Sequence, residues 1–121
     1  LVEREKGGDM DYLPISYERF KKDFPEIEKG FENLAKLYHA SGPLDERTRR
    51  LIKLGIAIGL GSPGAIKSHT RRAIAMGISN EEIHHVILLS LTTIGFPKMI
   101  AAFNWVNEAF EEGPTKHFGS D

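Results

Sequence analysis

Cysteine is absent from this chain of 121 residues. Its absence excludes disulfides, thiolate metal sites and every catalytic scheme that depends on a thiol. A cysteine-free chain also fits a reducing compartment, so we expect a cytoplasmic protein. Histidines and carboxylates at a spacing that could hold a metal ion are lacking too, and we therefore expect neither a metal nor another cofactor.

Excess charge and long apolar runs are also lacking. The 16 lysines and arginines nearly balance the 17 aspartates and glutamates, which leaves a formal charge of -1. Such a chain has no global attraction for nucleic acid or for an anionic membrane. No apolar run reaches the roughly 18 residues that a membrane-spanning helix needs. We expect a protein that binds neither nucleic acid nor membranes.

The apolar residues recur at helical spacing, and no stretch alternates as a β-strand does. This pattern predicts an all-α domain of about six helices over residues 16–113. An extended N-terminal arm over residues 1–15 and a C-terminal tail over residues 114–121 would flank it. Four of the predicted helices begin at residues suited to the N-cap position, namely Ser16, Asp45, Ser62 and Ser79.

Two of these helices carry more apolar residues than one face can hold. The helix from Ile83 to Ile94 is apolar on nearly every side, which is typical of a helix buried in the core. The last helix places Trp105 away from the side that carries Phe103 and Phe110. A monomer of this size would leave part of that surface exposed, so we predict a closed homo-oligomer.

His69 is the histidine whose neighbours point to chemistry. It lies about two turns after Ser62, which is the predicted N-cap of its helix. A helix N-terminus disfavours a positive charge, so a neutral imidazole that accepts a proton is one interpretation. A hydrogen-bonded structural histidine is the other. We interpret His39, His84 and His85 as structural.

Basic residues cluster on the helices before and around His69. Arg50 shares a helix face with Lys53, and Lys67 shares one with Arg71. A solvated face balanced by glutamates explains such a cluster. A local anion site explains it equally, because arginine binds carboxylates through two parallel hydrogen bonds.

The order of these motifs resembles the carboxymuconolactone decarboxylase family, which includes the alkyl-hydroperoxidase D-like proteins. The resemblance covers roughly residues 30–110 and rests on Leu44-Asp45-x-x-Thr48-Arg49-x-Leu51-Ile52, His69-x-Arg71-x-Ala73, Met76-Gly77-Ile78-Ser79-x-Glu81-Glu82-Ile83, Gly95-Phe96-Pro97 and Ala101-Ala102-Phe103. It implies an alkyl-hydroperoxidase D-like helical fold and a homotrimer or homohexamer.

The chain departs from the family at the reactive positions. Ser62 and Ala65 occupy the places of the Cys-x-x-Cys pair that hydroperoxidase-like members carry, and Arg50 occupies the place of their glutamate. A serine hydroxyl cannot pass through sulfenic acid and disulfide, so thiol peroxidase chemistry is excluded. Of the family's features, His69, Arg71 and the Gly95-Phe96-Pro97 turn carry over.

Two hypotheses follow for function. The first is a cofactor-free lyase or isomerase that acts on a small carboxylated lactone or a related acid. His69 and Ser62 would be catalytic, and Arg50 and Arg71 would bind the carboxylate. The second is a non-enzymatic oligomeric binding or scaffold protein that retains the fold. An open cleft lined by His69 and Arg50 would favour the first, and a site filled by Met76 and Leu60 would favour the second.

Overall fold

The computed structural model of the chain describes residues 14–112, with side chains described from residue 17 onward. This part of the chain is helical and contains no strand, which confirms the all-α prediction. Six helices of ten or more residues and one single turn, α6, follow one another: α1 Pro14–Asp23, α2 Pro25–His39, α3 Glu46–Leu60, α4 Pro63–Ala75, α5 Asn80–Leu89, α6 Leu91–Ile94 and α7 Phe96–Glu112.

The predicted start of the helical domain lies near the first described residues, whereas the predicted C-terminal tail lies beyond the last one. Helix α1 begins at Pro14, so Ser16 lies inside the helix, and its prediction as an N-cap was wrong. A proline without an amide hydrogen is well suited to a first turn, which explains the earlier start. Residues 1–13 of the predicted arm and the whole predicted tail lie outside the described residues.

Three of the predicted N-caps are confirmed. Asp45 Oδ1 accepts a hydrogen bond from the Thr48 amide at 2.8 Å, and Ser62 Oγ accepts one from the Ala65 amide at 3.4 Å. Ser79 and Glu82 form a reciprocal capping box. Between α3 and α4 the chain turns at Gly61, whose φ of 69° is accessible to glycine at little cost. These caps set where α3, α4 and α5 begin.

Helix α4 lies at the centre of the fold, between α3 on one side and α7 on the other. Its buried residues include four polar ones as well as Ile66 and Ala73: Ser68, His69, Thr70 and Arg71. The apolar core surrounds it and is formed largely by Leu54, Ala57, Ile58, Ile66, Ile83, Ile87, Met99, Ala102 and Val106. A central helix with polar side chains is therefore the feature that positions the candidate site.

Helix α5 is not the buried core helix that its composition predicts. The predicted helix from Ile83 to Ile94 breaks at Ser90, and only Ile83 and Ile87 of α5 are buried. Leu88 and Leu89 are 60% and 66% exposed. The prediction was wrong for the single chain because α5 packs on its neighbours through one face only.

The last helix is more deeply packed than predicted. Trp105 is half-buried against the core of its own chain, while Phe103 is 40% exposed. Val106 and Ala109 are fully buried. None of the described helices is long and apolar enough to cross a membrane.

Candidate functional site

His69 and Arg50 meet where the middle of α4 faces the first half of α3. Arg50 Nη1 lies 2.6 Å from His69 Nδ1. His69 is 6% exposed, and Arg50 is partly buried. Two of the four predicted site residues are thus brought together.

The identity of the donor fixes the protonation state of His69 in this arrangement. A guanidinium has only N–H donors and keeps its proton in proteins, so Nδ1 of the imidazole must accept the hydrogen bond. An imidazole that accepts through Nδ1 is neutral and carries its proton on Nε2. The geometry therefore holds a neutral His69 beside a fixed positive charge.

A second basic group lies one turn further along α3. Lys53 Nζ is 3.1 Å from Tyr38 Oη and 3.1 Å from His39 Nε2, and it lies 5.0 Å from the centre of the Tyr38 ring. Because Arg50 and Lys53 are three residues apart, they share one side of α3. The sequence spacing predicted this pairing of cations. It gave no sign that α2 brings Tyr38 and His39 to the same place.

Ser62 lies on the same side of α4 as His69 but two turns away, about 10 Å along the helix axis. Its hydroxyl accepts the Ala65 amide at the start of α4. The structure therefore gives Ser62 a capping contact and does not bring it to His69.

Arg71 faces the other side of α4. Two residues along a helix correspond to a rotation of roughly 200°, so Arg71 and His69 point in nearly opposite directions. Arg71 is 5% exposed and forms an ion pair with Glu112 of α7. On that side Lys67 Nζ lies 2.8 Å from Glu108 Oε1. The predicted convergence of Arg71 with Arg50 and His69 is absent from this arrangement.

A cleft of about 560 Å³ lies between α3 and the α5–α6 segment. Its lining is mostly apolar, with polar groups from Glu82, His85, Ser90 and Thr93. Neither His69 nor Arg50 lines this cleft, and Leu60 is 76% exposed rather than packed over His69. This cleft therefore matches neither the open pocket lined by His69 and Arg50 nor the filled site at His69 that would have separated the hypotheses.

The mouth of this cleft carries an ion pair between Arg47 and Glu82. The hydrogen bond from Arg47 and the one from the Ser79 amide hold the pKa of the Glu82 carboxyl at about 2. Glu82 therefore stays charged at every ordinary pH and links α3 to the start of α5.

His84 has packing contacts with α7. His84 Nε2 is 3.2 Å from Asn107 Oδ1, and its ring lies 5.2 Å from that of Phe110, so it joins α5 to α7. Across residues 14–112, no three histidine, cysteine, aspartate or glutamate side chains are grouped so that they could hold a metal ion.

Comparison with known proteins identifies a family and two proteins that are similar in sequence to this chain. The sequence model of the carboxymuconolactone decarboxylase family matches residues 25–108. The uncharacterized protein MJ1511 of Methanocaldococcus jannaschii is 33% identical over 99 residues, which are 81% of this chain and 92% of that protein. The uncharacterized protein 4 in the cox locus of Paracoccus denitrificans is 36% identical over 61 residues, 50% of this chain and 55% of that protein.

A solved structure shares the fold. The crystal structure of apo-lpg0406, a carboxymuconolactone decarboxylase family protein from Legionella pneumophila, aligns with a TM-score of 0.74 and 27% identity. The alignment covers 88% of this chain and 94% of that one. With the family match over most of its length and this common architecture, the chain belongs to the carboxymuconolactone decarboxylase family, as a member without cysteine.

Proposed function

We propose that the protein is a cofactor-free lyase or isomerase that acts on a small carboxylated lactone or a related acid. Arg50 binds a carboxylate of the substrate, and His69 transfers a proton. The observation that carries this proposal is the 2.6 Å contact between Arg50 Nη1 and His69 Nδ1, which places a neutral imidazole beside a guanidinium.

The contact supports a simple exchange of partners. A substrate carboxylate binds the Arg50 guanidinium more strongly than a neutral ring nitrogen does, because both groups of that pair are charged. When the carboxylate takes the guanidinium, the His69 Nδ1 lone pair is released from this contact and can accept a proton from the bound acid. Substrate binding therefore creates the base that the reaction needs.

The chemistry then balances without a cofactor. In an isomerisation, His69 removes a proton from carbon, the electron pair moves into an enolate, and the imidazolium returns the proton to another carbon. In a decarboxylation, the bond to the departing carbon dioxide breaks, its electrons form the enolate, and a proton adds to carbon. Arg50 and Lys53 provide the positive charge that stabilises the enolate oxygen.

Arg71 and Ser62 have no part in this exchange of partners. Arg71 is paired with Glu112 on the other side of α4, and Ser62 caps the helix two turns from His69. Their predicted roles in substrate binding and catalysis would require a different arrangement of α4.

A second candidate function is a non-enzymatic oligomeric binding or scaffold protein. The burial of His69, which is 6% exposed, favours it, as does a cleft that His69 does not line. In this alternative the Arg50–His69 contact fastens α3 to α4 and has no reaction to support. Under both proposals the protein self-associates, with the homotrimer or homohexamer that the family resemblance implies.

Small carboxylates test the binding step before any substrate is known. Acetate, benzoate and a lactone acid should each perturb the NMR signals of the His69 ring, because the carboxylate displaces it from Arg50. Arg50→Gln should abolish this response. Arg47→Gln is the matched control, since it removes an exposed arginine of the same helix and should leave the response intact.

Turnover is tested by a screen of lactone acids with the wild type, His69→Ala and Arg50→Gln. We expect both variants to lose at least about 100-fold in kcat/KM, within the range usual for removing a general acid–base group. Equal turnover by His69→Ala would remove His69 from the mechanism. Carboxylate binding without turnover of any acid would favour the binding protein, and an unmoved His69 signal would refute the anion site.

A further inference from the structure

We infer that the apolar stripe of α2 from one copy of the chain packs into the cleft between α3 and α5 of a second copy. This interface rests on the self-association proposed above, and it does not depend on any catalytic activity. The stripe consists of Ile27, Phe31, Leu34 and Tyr38, and Leu37 lies beside it.

Helix α2 has an amphipathic pattern that its own chain does not cover. Ile27 and Leu34 are 62% and 54% exposed, and Leu37 is 67% exposed. Within the subunit, Glu28 is buried and accepts a hydrogen bond from Tyr17 of α1, and Tyr38 at the end of the stripe contacts Lys53 of α3, so most of the stripe stays uncovered. Most short helices owe their stability to a packed apolar face, so the stripe of α2 calls for a second surface.

The cleft offers such a surface. Ile52 lines it at 45% exposure, and Ile56 and Leu60 continue the exposed apolar row along α3 at 58% and 76% exposure. Leu89 forms the opposite wall and is 66% exposed. A mostly apolar groove between two helices is the kind of site into which amphipathic helices bind with residues spaced by three and four.

Two glycines point to the same pair of surfaces. Gly59 lines the cleft, and Gly30 lies on the stripe side of α2, three residues after Ile27 and four before Leu34. A Cβ atom built at either position would meet no atom within 4 Å, so packing inside the subunit does not require a glycine there. Glycine weakens a helix interior, and it is well suited to places where another backbone approaches closely.

The area of the surfaces fits a second copy of the chain as the occupant. Taking roughly 200 Å² for each fully exposed large side chain, the stripe of α2 and the residues at the cleft each present on the order of 500 Å² of apolar surface. A stable contact buries about 800 Å² on each partner, and slightly more than half of such an area, roughly 450 Å², is apolar. Because one sequence supplies both the stripe and the groove, the surfaces are complementary between identical copies.

Because the chain contains no cysteine, an introduced cysteine is the single thiol of its chain, and disulfide cross-linking tests the contact directly. Leu34→Cys and Ile56→Cys proteins, each with a single thiol, are mixed and oxidised, and products are resolved by mass after one partner is labelled with ¹⁵N. We expect a disulfide between a Leu34→Cys chain and an Ile56→Cys chain. Leu44→Cys is the control, since Leu44 is 48% exposed but precedes α3 and does not line the cleft.

A second measurement guards against a chance disulfide. Gly59→Leu places a larger side chain in the cleft at a position where a Cβ atom meets no atom of its own chain within 4 Å, so circular dichroism should show an unchanged helix content. Sedimentation velocity should show an apparent dissociation constant at least about tenfold higher, as expected when a central contact of an interface is blocked. Leu44→Glu should leave that constant unchanged.

The outcomes separate this interface from self-association in general. A wild type that stays monomeric at 100 µM or above, roughly the weak end of specific association, would overturn both. An oligomer that forms no Leu34–Ile56 disulfide and tolerates Gly59→Leu would overturn the α2-to-cleft contact alone and place the subunit boundary elsewhere.

Discussion

Helices α4 and α5 show opposite relations between composition and burial. Helix α4 carries four polar residues that are buried, and His69 at 6% is the most exposed of them. Helix α5 is rich in isoleucine and leucine, yet two of its leucines are more than half exposed. In this fold the position of a helix among its neighbours decides its burial more than its own hydropathy does.

Three of the four buried polar residues of α4 have partners, one within α4 and two on neighbouring helices, whereas Ser68 Oγ is buried with no hydrogen-bond partner among the described residues. Thr70 Oγ1 donates to the Ile66 carbonyl at 2.8 Å, Arg71 meets Glu112, and His69 meets Arg50. The partners differ in kind, since Arg71 faces a carboxylate while Arg50 faces a neutral imidazole. Each pairing joins α4 to a neighbouring helix, which is α7 for Arg71 and α3 for His69.

The largest expected difference is in the loss of unfolding free energy when each of two neighbouring residues of α5 is replaced by alanine. Ile87 is 1% exposed and Leu88 is 60% exposed. Ile87→Ala should lower the free energy of unfolding by about 2–5 kcal/mol, because it deletes buried methylenes and leaves a cavity. Leu88→Ala should cost less than about 1 kcal/mol. Urea unfolding at one fixed protein concentration measures both, and equal losses would contradict the one-sided packing of α5.

A smaller loss of unfolding free energy is expected when the buried Arg71 of α4 loses its partner. Glu112→Ala leaves the Arg71 guanidinium, whose side chain is 6% exposed, without that carboxylate. We expect a loss of about 1–3 kcal/mol in unfolding free energy, reduced from the cost of a fully buried pair because Glu112 is partly exposed.

Two further variants show whether that loss comes from the pair. Glu108→Ala, which removes a half-exposed carboxylate from the same helix, should cost less than about 1 kcal/mol. Arg71→Met combined with Glu112→Ala should recover part of the loss, because no charge then remains buried. A double variant less stable than Glu112→Ala would show that Arg71 acts through contacts other than the ion pair.

Local signals predicted the helix boundaries well. Asp45, Ser62 and Ser79 cap the helices they were expected to cap, because a capping contact involves residues within three positions of one another. The family resemblance is confirmed for the same reason, since it rests on short motifs in a fixed order.

Predictions that depended on packing between distant elements succeeded less often. Composition placed α5 in the core, but burial depends on how many neighbours a helix has, and hydropathy does not encode that number. The sequence predicted the site in part. Arg50 and His69 contact each other across two neighbouring helices, whereas Arg71 points away from them. The direction of Arg71 follows from which side of α4 faces α7, and that arrangement is a property of the assembled fold.

The smallest expected effect is the contribution to stability of the Arg47–Glu82 ion pair, which joins α3 to the start of α5. Because contacts with Arg47 and the Ser79 amide lower the pKa of Glu82 from 4.5 to about 2, the charged form is favoured in the folded state. A carboxyl with a lowered folded-state pKa stabilises the protein fully above its unfolded value, and this contribution is lost as the pH falls from about 4.5 to about 2.

Glu82→Gln isolates this contribution, since glutamine can still complete a capping box with Ser79 and loses only the charge. The melting temperature of the variant should lie slightly below that of the wild type at pH 7, because the pair is exposed to solvent. The difference should shrink through the window from pH 4.5 to pH 2 and vanish at its acidic end. Glu81→Gln, which removes an exposed charge from the adjacent position, is the matched control. A Glu82→Gln difference that is constant from pH 7 to pH 2 would mean that the charge of Glu82 does not hold α5 against α3.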